Sequence, residues 1–243
     1  LTQKLGFTNL DIADKSSKSG LSLGGLHTGV TVREMTAAFQ IFGNGGIYNK
    51  PYMYFYVADR NGKILLDNRN KIGSRAISAT ATIMNRLLKT VVDEGTGKAA
   101  KIEGVDVYGK TGTTNNNKDS WFIGATPHAA AGIWTGFDSP KKISETACSK
   151  YIWREIMKKY IDGKKEKTYV FDESVKEYAY CRETGQIAVA GICPDTCIGY
   201  YSKDNMPPLC TKHTGISGIS SNREYNDNKV LNQHILEDEI FND

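Results

Sequence analysis

Three short strand-like runs joined by tight connections constrain the fold of this chain more than any other feature. The runs cover residues 105–113, 120–125 and 130–137, and only a few residues separate each run from the next. Strands joined so closely are antiparallel neighbours, because a parallel crossover needs about a dozen residues or more. The centre of the chain is therefore predicted to be an antiparallel sheet.

Amphipathic helices are predicted before and after this sheet. Thr31 and Glu34 have the spacing of a capping box, which indicates a helix over about 31–42. Apolar residues recurring at helical intervals predict a second helix over about 78–94 and a third over about 144–160. This order predicts an α+β fold in which helices sandwich an antiparallel sheet.

The third helix is expected to cover the sheet with one apolar face. The residues assigned to that face are Cys148, Ile152, Ile156 and Tyr160. They recur at helical spacing, and Cys148 among them is expected to be a small core hydrophobe.

A hairpin is predicted between the first two helices. Residues 51–58 alternate and are rich in aromatics, residues 59–62 supply turn formers, and 63–66 resume an apolar run. Two such runs around a short turn are typical of a β-hairpin.

Composition and charge exclude several classes of protein. With 243 residues, 40% hydrophobic and 24% charged, the chain can form one full domain and a smaller appendage. The net charge of +4 is spread over mixed-sign stretches, so nucleic-acid binding gains no support. No run of about 18 apolar residues occurs, so no membrane contact is expected from this segment. The start at Leu1, without a Met or a signal peptide, leads us to expect a fragment.

Three regions are predicted along the chain. Residues 1–162 hold the sheet and its helices, residues 163–213 form a small cysteine-rich module at the carboxy-terminal side, and residues 214–243 form a polar tail. The tail is dominated by Ser, Asn, Asp and Glu, which cannot bury enough apolar surface to form a core.

The segment Gly-Lys-Thr-Gly-Thr-Thr at 109–114 lies inside a predicted strand. Two glycines there weaken the strand, which usually means that something must approach its backbone closely. Lysine, threonine hydroxyls and free backbone N–H groups together can bind an anionic ligand that also carries a carbonyl.

Around that segment, ordered matches make residues 1 to 160 resemble the transpeptidase domain of class A penicillin-binding proteins. The matches include Leu-Gly-Gly at 23–25, Phe-Gly-Asn-Gly-Gly at 42–46, Asp-Ser-Trp-Phe-Ile-Gly at 119–124 and Trp-Thr-Gly at 134–136. Lys-Thr-Gly itself is one of the motifs of penicillin-binding proteins. The resemblance implies their fold, and it implies acyl transfer onto a serine.

The resemblance also implies roles for individual residues. Lys110 would set the electrostatics of the site and help proton movement, and Thr113 would supply an oxyanion-hole N–H. The residues expected to bind the carboxylate of the substrate or drug, or to lie beside it, are Thr111, Gly112, Thr113 and Thr114. No cofactor is expected for the chemistry. Trp121 and Phe122 are expected to fix the neighbouring strand.

One departure from the family pattern is decisive for activity. No Ser-x-x-Lys and no Ser-x-Asn precedes Lys110, although the family places both motifs upstream of Lys-Thr-Gly. Ser139-Pro140-Lys141-Lys142 fits the first pattern, but it follows the sheet and is interpreted as coincidence. The nucleophile is therefore expected in a missing upstream segment, without which this chain would be inactive.

The clustered cysteines allow two interpretations. Cys181, Cys193, Cys197, Cys210 and His213 follow one another with intervals of eleven, three, twelve and two residues. Because the family works outside the membrane, where disulfides persist, two disulfides are favoured. The spacing also suits structural zinc, which is the alternative.

The leading functional hypothesis is a peptidoglycan D,D-transpeptidase. Its expected partners are stem peptides, β-lactam antibiotics and the missing upstream segment of the same protein. That segment would anchor the domain at the extracytoplasmic face of the bacterial membrane. Two alternatives stay open: a noncatalytic structural or interaction module of the same fold, and a hydrolase such as a D,D-carboxypeptidase or a serine β-lactamase.

Overall fold

The structure is a computed structural model, and it describes residues 3–69, 74–75 and 78–213. The described chain divides into two compact units, Leu1–Glu173 and a second that begins at Ser174. The division falls later in the chain than the predicted boundary between residues 162 and 163. The predicted polar tail over 214–243 lies outside the described residues.

Helices and strands alternate irregularly along the chain. The α-helices are α1 (Ile12–Ser16), α2 (Lys18–Leu23), α3 (Val32–Phe39), α4 (Ser78–Asp93) and α5 (Cys148–Ile161). The strands are β1 (Ile47–Tyr48), β2 (Tyr56–Ala58), β3 (Ile64–Asp67), β4 (Ser74–Arg75), β5 (Tyr108–Thr113), β6 (Asp119–Thr126), β7 (Ala129–Gly136), β8 (Val175–Cys181) and β9 (Thr196–Ser202). Short 3₁₀ turns occupy Gln3–Leu5, Gln40–Phe42, Lys98–Ala100, Asn115–Asn117 and Lys203–Asn205.

The predicted central sheet is confirmed. In the first unit β5, β6 and β7 form an antiparallel sheet in that order, with Lys110 opposite Ile123 and Trp121 opposite Trp134. The first unit also contains the predicted hairpin, β2 with β3, although its first strand starts only at Tyr56. A further short pair joins β1 to β4.

The capping box predicted for the first long helix is present. Thr31 accepts a hydrogen bond from the Glu34 backbone, and the Glu34 carboxylate accepts one from the Thr31 backbone. Helix α3 ends at Phe39, earlier than predicted, because the chain tightens into a 3₁₀ turn. The second predicted helix is confirmed as α4.

Helices pack on both faces of the central sheet. Phe122 and the Trp153 ring of α5 meet edge to face at 5.1 Å, so α5 lies on the Phe122 face. A Cβ placed on Gly132 would meet Thr36 and Val32 of α3 as well as Ile123, so α3 lies on the opposite face. Because neighbouring residues of a strand point to opposite faces, the predicted sandwich is confirmed.

The predicted apolar face of α5 is wrong by one residue. Ile152, Ile156 and Tyr160 are exposed, and Cys148 is only half-buried, with its Sγ 3.3 Å from the Thr135 hydroxyl. The face that packs on the sheet consists of Ser149, Trp153 and Met157. The bulk of the tryptophan explains the difference, since its ring fills the space over Phe122 and its indole N–H donates to the Ala131 carbonyl at 3.0 Å.

The buried residues of the first unit form separate clusters around the central sheet. The largest cluster contains Val92, Ala100, Ile102, Val107, Phe122, Trp153 and Met157. A second cluster gathers Leu88, Tyr108, Ala125 and Tyr169. The Tyr108 hydroxyl donates to the Phe39 carbonyl, and that of Tyr169 lies within hydrogen-bonding distance of the Asp106 and Ala125 carbonyls. Burial raises the pKa of both phenols, which stay neutral.

The second unit is built on one antiparallel pair, β8 with β9. Ile187 forms isolated bridges with Tyr180 and with Leu209, which bring the connecting segments against this pair. Among residues 3–69, 74–75 and 78–213, no helix has the length and apolar composition that crossing a membrane requires.

Candidate functional site

The Lys-Thr-Gly segment occupies the end of β5. Among the described strands β5 pairs only with β6, so it forms an edge of the central sheet, and helix α4 packs beside it. Lys110 and Thr113 are exposed, whereas Thr111 and Gly112 are half-buried. An edge strand presents backbone N–H and C=O groups that a ligand can bind.

The Lys110 ammonium group lies back over its own strand. Its Nζ donates a hydrogen bond to the Thr111 carbonyl at 2.7 Å. The positive charge is thereby placed beside the hydroxyl-bearing part of the strand, where it can attract an anionic group.

The Thr111 side chain has a partner that sequence analysis did not single out. Its hydroxyl oxygen lies 2.8 Å from that of Thr96, in the turn directly after α4. Gly95 and Gly97 flank Thr96, and a Cβ on either would come within about 3 Å of the Val91 carbonyl oxygen. Gly97 also donates to that oxygen at 2.8 Å. The Gly-Thr-Gly pattern that stops the helix was the available signal for this residue.

Beyond β5 the chain makes a tight turn. The Thr114 hydroxyl accepts a hydrogen bond from the Asp119 backbone N–H at 3.2 Å. Asn116 and Asn117 both have positive φ, a conformation that asparagine tolerates better than most residues. Thr114 therefore helps to fix the turn that joins β5 to β6.

Strand β6 pairs with β5 and holds the candidate site on its inner side, away from the edge of the sheet. Phe122 is fully buried, and Trp121 lies opposite Gly112. The buried Ser120 hydroxyl donates to the Thr146 carbonyl at 2.7 Å and lies 2.9 Å from the Ser149 hydroxyl of α5. These hydrogen bonds connect β6, the strand that pairs with β5, to α5 and the residues just before it.

The later match to the Ser-x-x-Lys pattern lies in a loop and not in a helix. Ser139, Pro140, Lys141 and Lys142 are exposed in the loop between β7 and α5. Because this loop has no helical turn, it does not present Ser139 and Lys142 on one helix face as a Ser-x-x-Lys motif does.

Four of the five candidate ligands in the cysteine-rich region come together. One ligand atom from each of Cys181, Cys193, Cys210 and His213 lies within 4.8 Å of the others. Cys197 is outside this group and pairs with Tyr180 across β8 and β9. The Thr184 hydroxyl, followed by the backbone and ring of His213, lowers the pKa of Cys210 to about 6 against the opposing effect of burial.

With this geometry established, comparison with known proteins defines the class of protein. The family model of the penicillin binding protein transpeptidase domain matches residues 3–158. The chain belongs to this family, which acts in peptidoglycan synthesis and is an antibiotic target.

Individual relatives confirm the resemblance to class A penicillin-binding proteins. Penicillin-binding protein 1A of Clostridium acetobutylicum is 42% identical over 158 residues, which cover 64% of this chain. The chain spans about a fifth of the length of that relative, 19%.

Solved structures confirm the fold. Penicillin-binding protein 1A from Haemophilus influenzae has a TM-score of 0.65 at 21% identity. The match covers 84% of this chain and 36% of the Haemophilus chain. The PonA1 protein from Mycobacterium tuberculosis was solved in complex with penicillin V. It has a TM-score of 0.58 at 24% identity, and the match covers 70% of this chain and 50% of the PonA1 chain.

Proposed function

We propose that this chain is the carboxy-terminal part of a serine-type peptidoglycan D,D-transpeptidase domain that β-lactams acylate. The observation that carries the proposal is the edge strand β5, which presents the Lys110 ammonium and the Thr111 and Thr113 side chains around a glycine. A positive charge and hydroxyls suit the carboxylate of a D-alanine terminus or of a β-lactam, and backbone N–H groups suit its carbonyl.

The proposed reaction proceeds in two acyl-transfer steps. A serine attacks the carbonyl of the penultimate D-Ala of a stem peptide, and the terminal D-Ala leaves. An amine of a neighbouring stem then attacks the ester and releases the serine. In this scheme the Thr113 N–H binds the oxyanion, a contact typically worth about 3 kcal/mol in the transition state. Lys110 stabilises the negative charge and helps to move the proton.

The proposed serine lies outside these 243 residues. No Ser-x-x-Lys precedes Lys110 in this chain, and the one later match lies in an exposed loop without helical structure. An upstream segment of the same protein would supply the nucleophile, pack against this unit and anchor the domain at the extracytoplasmic face of the membrane.

Labelling with a fluorescent penicillin tests the proposal. This chain and a chain extended upstream through the family's Ser-x-x-Lys are each labelled, separated by denaturing electrophoresis and mapped by mass spectrometry. The adduct is expected only on the extended chain, at the upstream serine. Lys110→Ala in the extended chain should slow labelling by about 100-fold or more, the scale of a lost acid–base group.

A matched substitution separates the site from general charge effects. Lys118→Ala removes the same charge from an exposed position just after the turn that follows β5, and it should leave labelling unchanged. An adduct within the 243 residues would refute the placement of the serine. No adduct on the extended chain would favour the noncatalytic module, and rapid hydrolysis of the adduct would favour the hydrolase.

A further inference from the structure

The second unit contains a cluster of soft ligand atoms that the acyl-transfer chemistry does not use. Cys181, Cys193, Cys210 and His213 come from three separate segments of the chain, yet their ligand atoms lie within 4.8 Å of one another. Cys181 and Cys210 are almost completely buried. Three thiols and an imidazole at one point are a donor set that selects zinc among the common divalent metals.

The distances within the cluster suit tetrahedral coordination. His213 Nδ1 lies 3.6 Å from Cys181 Sγ and 3.4 Å from Cys210 Sγ. Bonds of about 2.3 Å to sulfur and about 2.1 Å to nitrogen place two tetrahedral ligands roughly 3.6 Å apart. The sulfur and nitrogen atoms therefore already lie close to the separation that a bound zinc ion requires.

Backbone hydrogen bonds hold each thiol in place. Cys181 ends β8, where its N–H donates to the Gln186 carbonyl at 2.8 Å. The Cys193 N–H donates to the Val189 carbonyl at 3.0 Å, and the Cys210 N–H to the Ile187 carbonyl at 2.8 Å. Because three backbone segments fix the thiols independently of a bound ion, the site is preorganised.

A second layer of polar groups orients the ligands. His213 Nε2 lies 2.8 Å from the Glu183 carboxylate, which favours the tautomer that carries its proton on Nε2 and leaves Nδ1 able to bind metal. The Val189 N–H donates to Cys193 Sγ at 3.3 Å, and the Thr184 hydroxyl to Cys210 Sγ at 3.5 Å. Such donors stabilise sulfur in its thiolate form.

The second unit has a small hydrophobic core, so a bound metal would add to its stability. In its described part, the buried hydrophobic residues are Cys181, Ile187, Ala188 and Cys210. Half of that set are cysteines of the cluster, so little other apolar surface is available to stabilise the unit. Small modules with so little core commonly depend on a metal or on disulfides.

We propose that Cys181, Cys193, Cys210 and His213 bind one structural zinc ion that stabilises the second unit. Binding replaces the protons of three thiols, and the imidazole binds as the neutral ring. Four protein ligands leave no open position, so the ion has a structural and not a catalytic role. Glu183 is a positioning residue that acts through His213.

Metal analysis of the full chain tests the proposal, and its outcome is independent of the transpeptidase reaction. The chain is purified without chelator, and its zinc is measured by plasma mass spectrometry, with about one zinc expected per chain. After zinc removal under reducing conditions, titration with Co²⁺ should give the intense visible bands of a tetrahedral thiolate site together with thiolate-to-cobalt charge transfer.

Substitutions locate the ion. Cys210→Ser should abolish stoichiometric zinc, whereas Cys197→Ser, a cysteine of the same unit outside the cluster, should leave it unchanged. Glu183→Gln should weaken zinc binding by about 10- to 100-fold while the chain stays folded, which keeps the test valid if Cys210→Ser fails to fold. Equal zinc loss in the Cys197 variant would overturn the proposal. So would a metal-free chain in which peptide mapping finds a disulfide among the three cysteines.

Discussion

The hydroxyl oxygens of Thr96 and Thr111 lie 2.8 Å apart, and this contact joins the turn after α4 to the Lys-Thr-Gly strand. The contact favours the Thr111 rotamer in which the two hydroxyls meet. Thr96 is exposed and Thr111 is half-buried, so the contact lies outside the core and can orient the hydroxyl that we propose binds the ligand.

Thr96→Val should slow acylation by penicillin in the upstream-extended chain. The substitution keeps the shape of the side chain but removes one hydroxyl, so Thr111 loses a hydrogen bond worth about 1 kcal/mol. The expected loss is roughly fivefold in the second-order labelling rate, with little change in thermal stability. The matched control is Thr90→Val, whose hydroxyl bonds the Leu87 carbonyl of its own helix. Equal rates in the two variants would remove Thr96 from the site.

Glu34 should make the first unit sensitive to acid. Burial alone would raise the pKa of this carboxyl group, but hydrogen bonds from the side chains and backbones of Thr8 and Thr31 outweigh burial and lower the pKa to about 2. The folded state therefore favours the carboxylate. Its contribution to stability is complete above the unfolded pKa of 4.5 and is lost as the pH falls from about 4.5 to about 2.

Urea denaturation over that pH range measures the effect. The native chain should lose on the order of 2–3 kcal/mol between pH 5 and pH 2.5 through this group, whereas Glu34→Gln should be less stable at pH 7 and show a flatter decline. Glu103→Gln changes the net charge equally at an exposed turn position and is the control. Parallel pH profiles for native and Glu34→Gln chains would contradict the assignment.

Helix α5 offers a direct test of which face packs on the sheet. Trp153 is 0% exposed and Ile152 is 43% exposed. Trp153→Ala should therefore cost about 3–5 kcal/mol of folding stability, the usual range for a buried tryptophan, because it leaves a cavity over Phe122 and a carbonyl without its donor. Ile152→Ala should change stability by no more than about 0.5 kcal/mol. Equal losses, measured by denaturant titration, would restore the face predicted from sequence.

Helix α5 also shows why the sequence predicts the positions of helices and strands better than the face by which a helix packs on the sheet. The capping box of Thr31 and Glu34 and the short connections around β6 are local signals, and they predicted α3 and the central sheet. The contact face of α5 depends on how the Trp153 ring fits over Phe122, which is a tertiary property. Apolar spacing alone favoured Ile152 and Ile156, since the exposed isoleucines repeat as regularly as the buried residues.

In both candidate sites, some residues could be indicated by sequence, whereas others depend on tertiary packing. Lys110 to Thr114 could be proposed from the sequence because they are consecutive residues, in β5 and directly after it. The Gly-Thr-Gly pattern marks the turn that contains Thr96, but the contact of Thr96 with Thr111 depends on the packing of α4 beside β5 and could not be predicted. Spacing gave the cysteine-rich region five candidate ligands, but only the pairing of β8 with β9, which places Cys197 opposite Tyr180, shows that Cys197 is separate from the other four.

Substitution of two glycines in β5, Gly109 and Gly112, should distinguish an effect on core packing from an effect on ligand binding. A Cβ on Gly109 would lie 2.5 Å from the Phe122 ring and 3.0 Å from the Ile123 carbonyl oxygen, inside the buried layer. The atoms nearest to a Cβ on Gly112 belong to the Trp121 side chain, at 3.2 Å or more. Gly109→Ala should therefore destabilise the fold by about 1–3 kcal/mol, as overpacking typically does, whereas Gly112→Ala should be tolerated by the fold.

The labelling rate of the extended chain completes this test. Gly112→Ala should slow penicillin acylation although the melting temperature changes little, because the added methyl group occupies the space in which a ligand approaches the strand. Gly109→Ala combined with Phe122→Leu should cost less stability than the sum of the two single substitutions, since the shorter side chain vacates the ring position that clashes. If Gly112→Ala retained the native labelling rate, no ligand would pack closely against this part of β5, and its glycine would serve only the contact with Trp121.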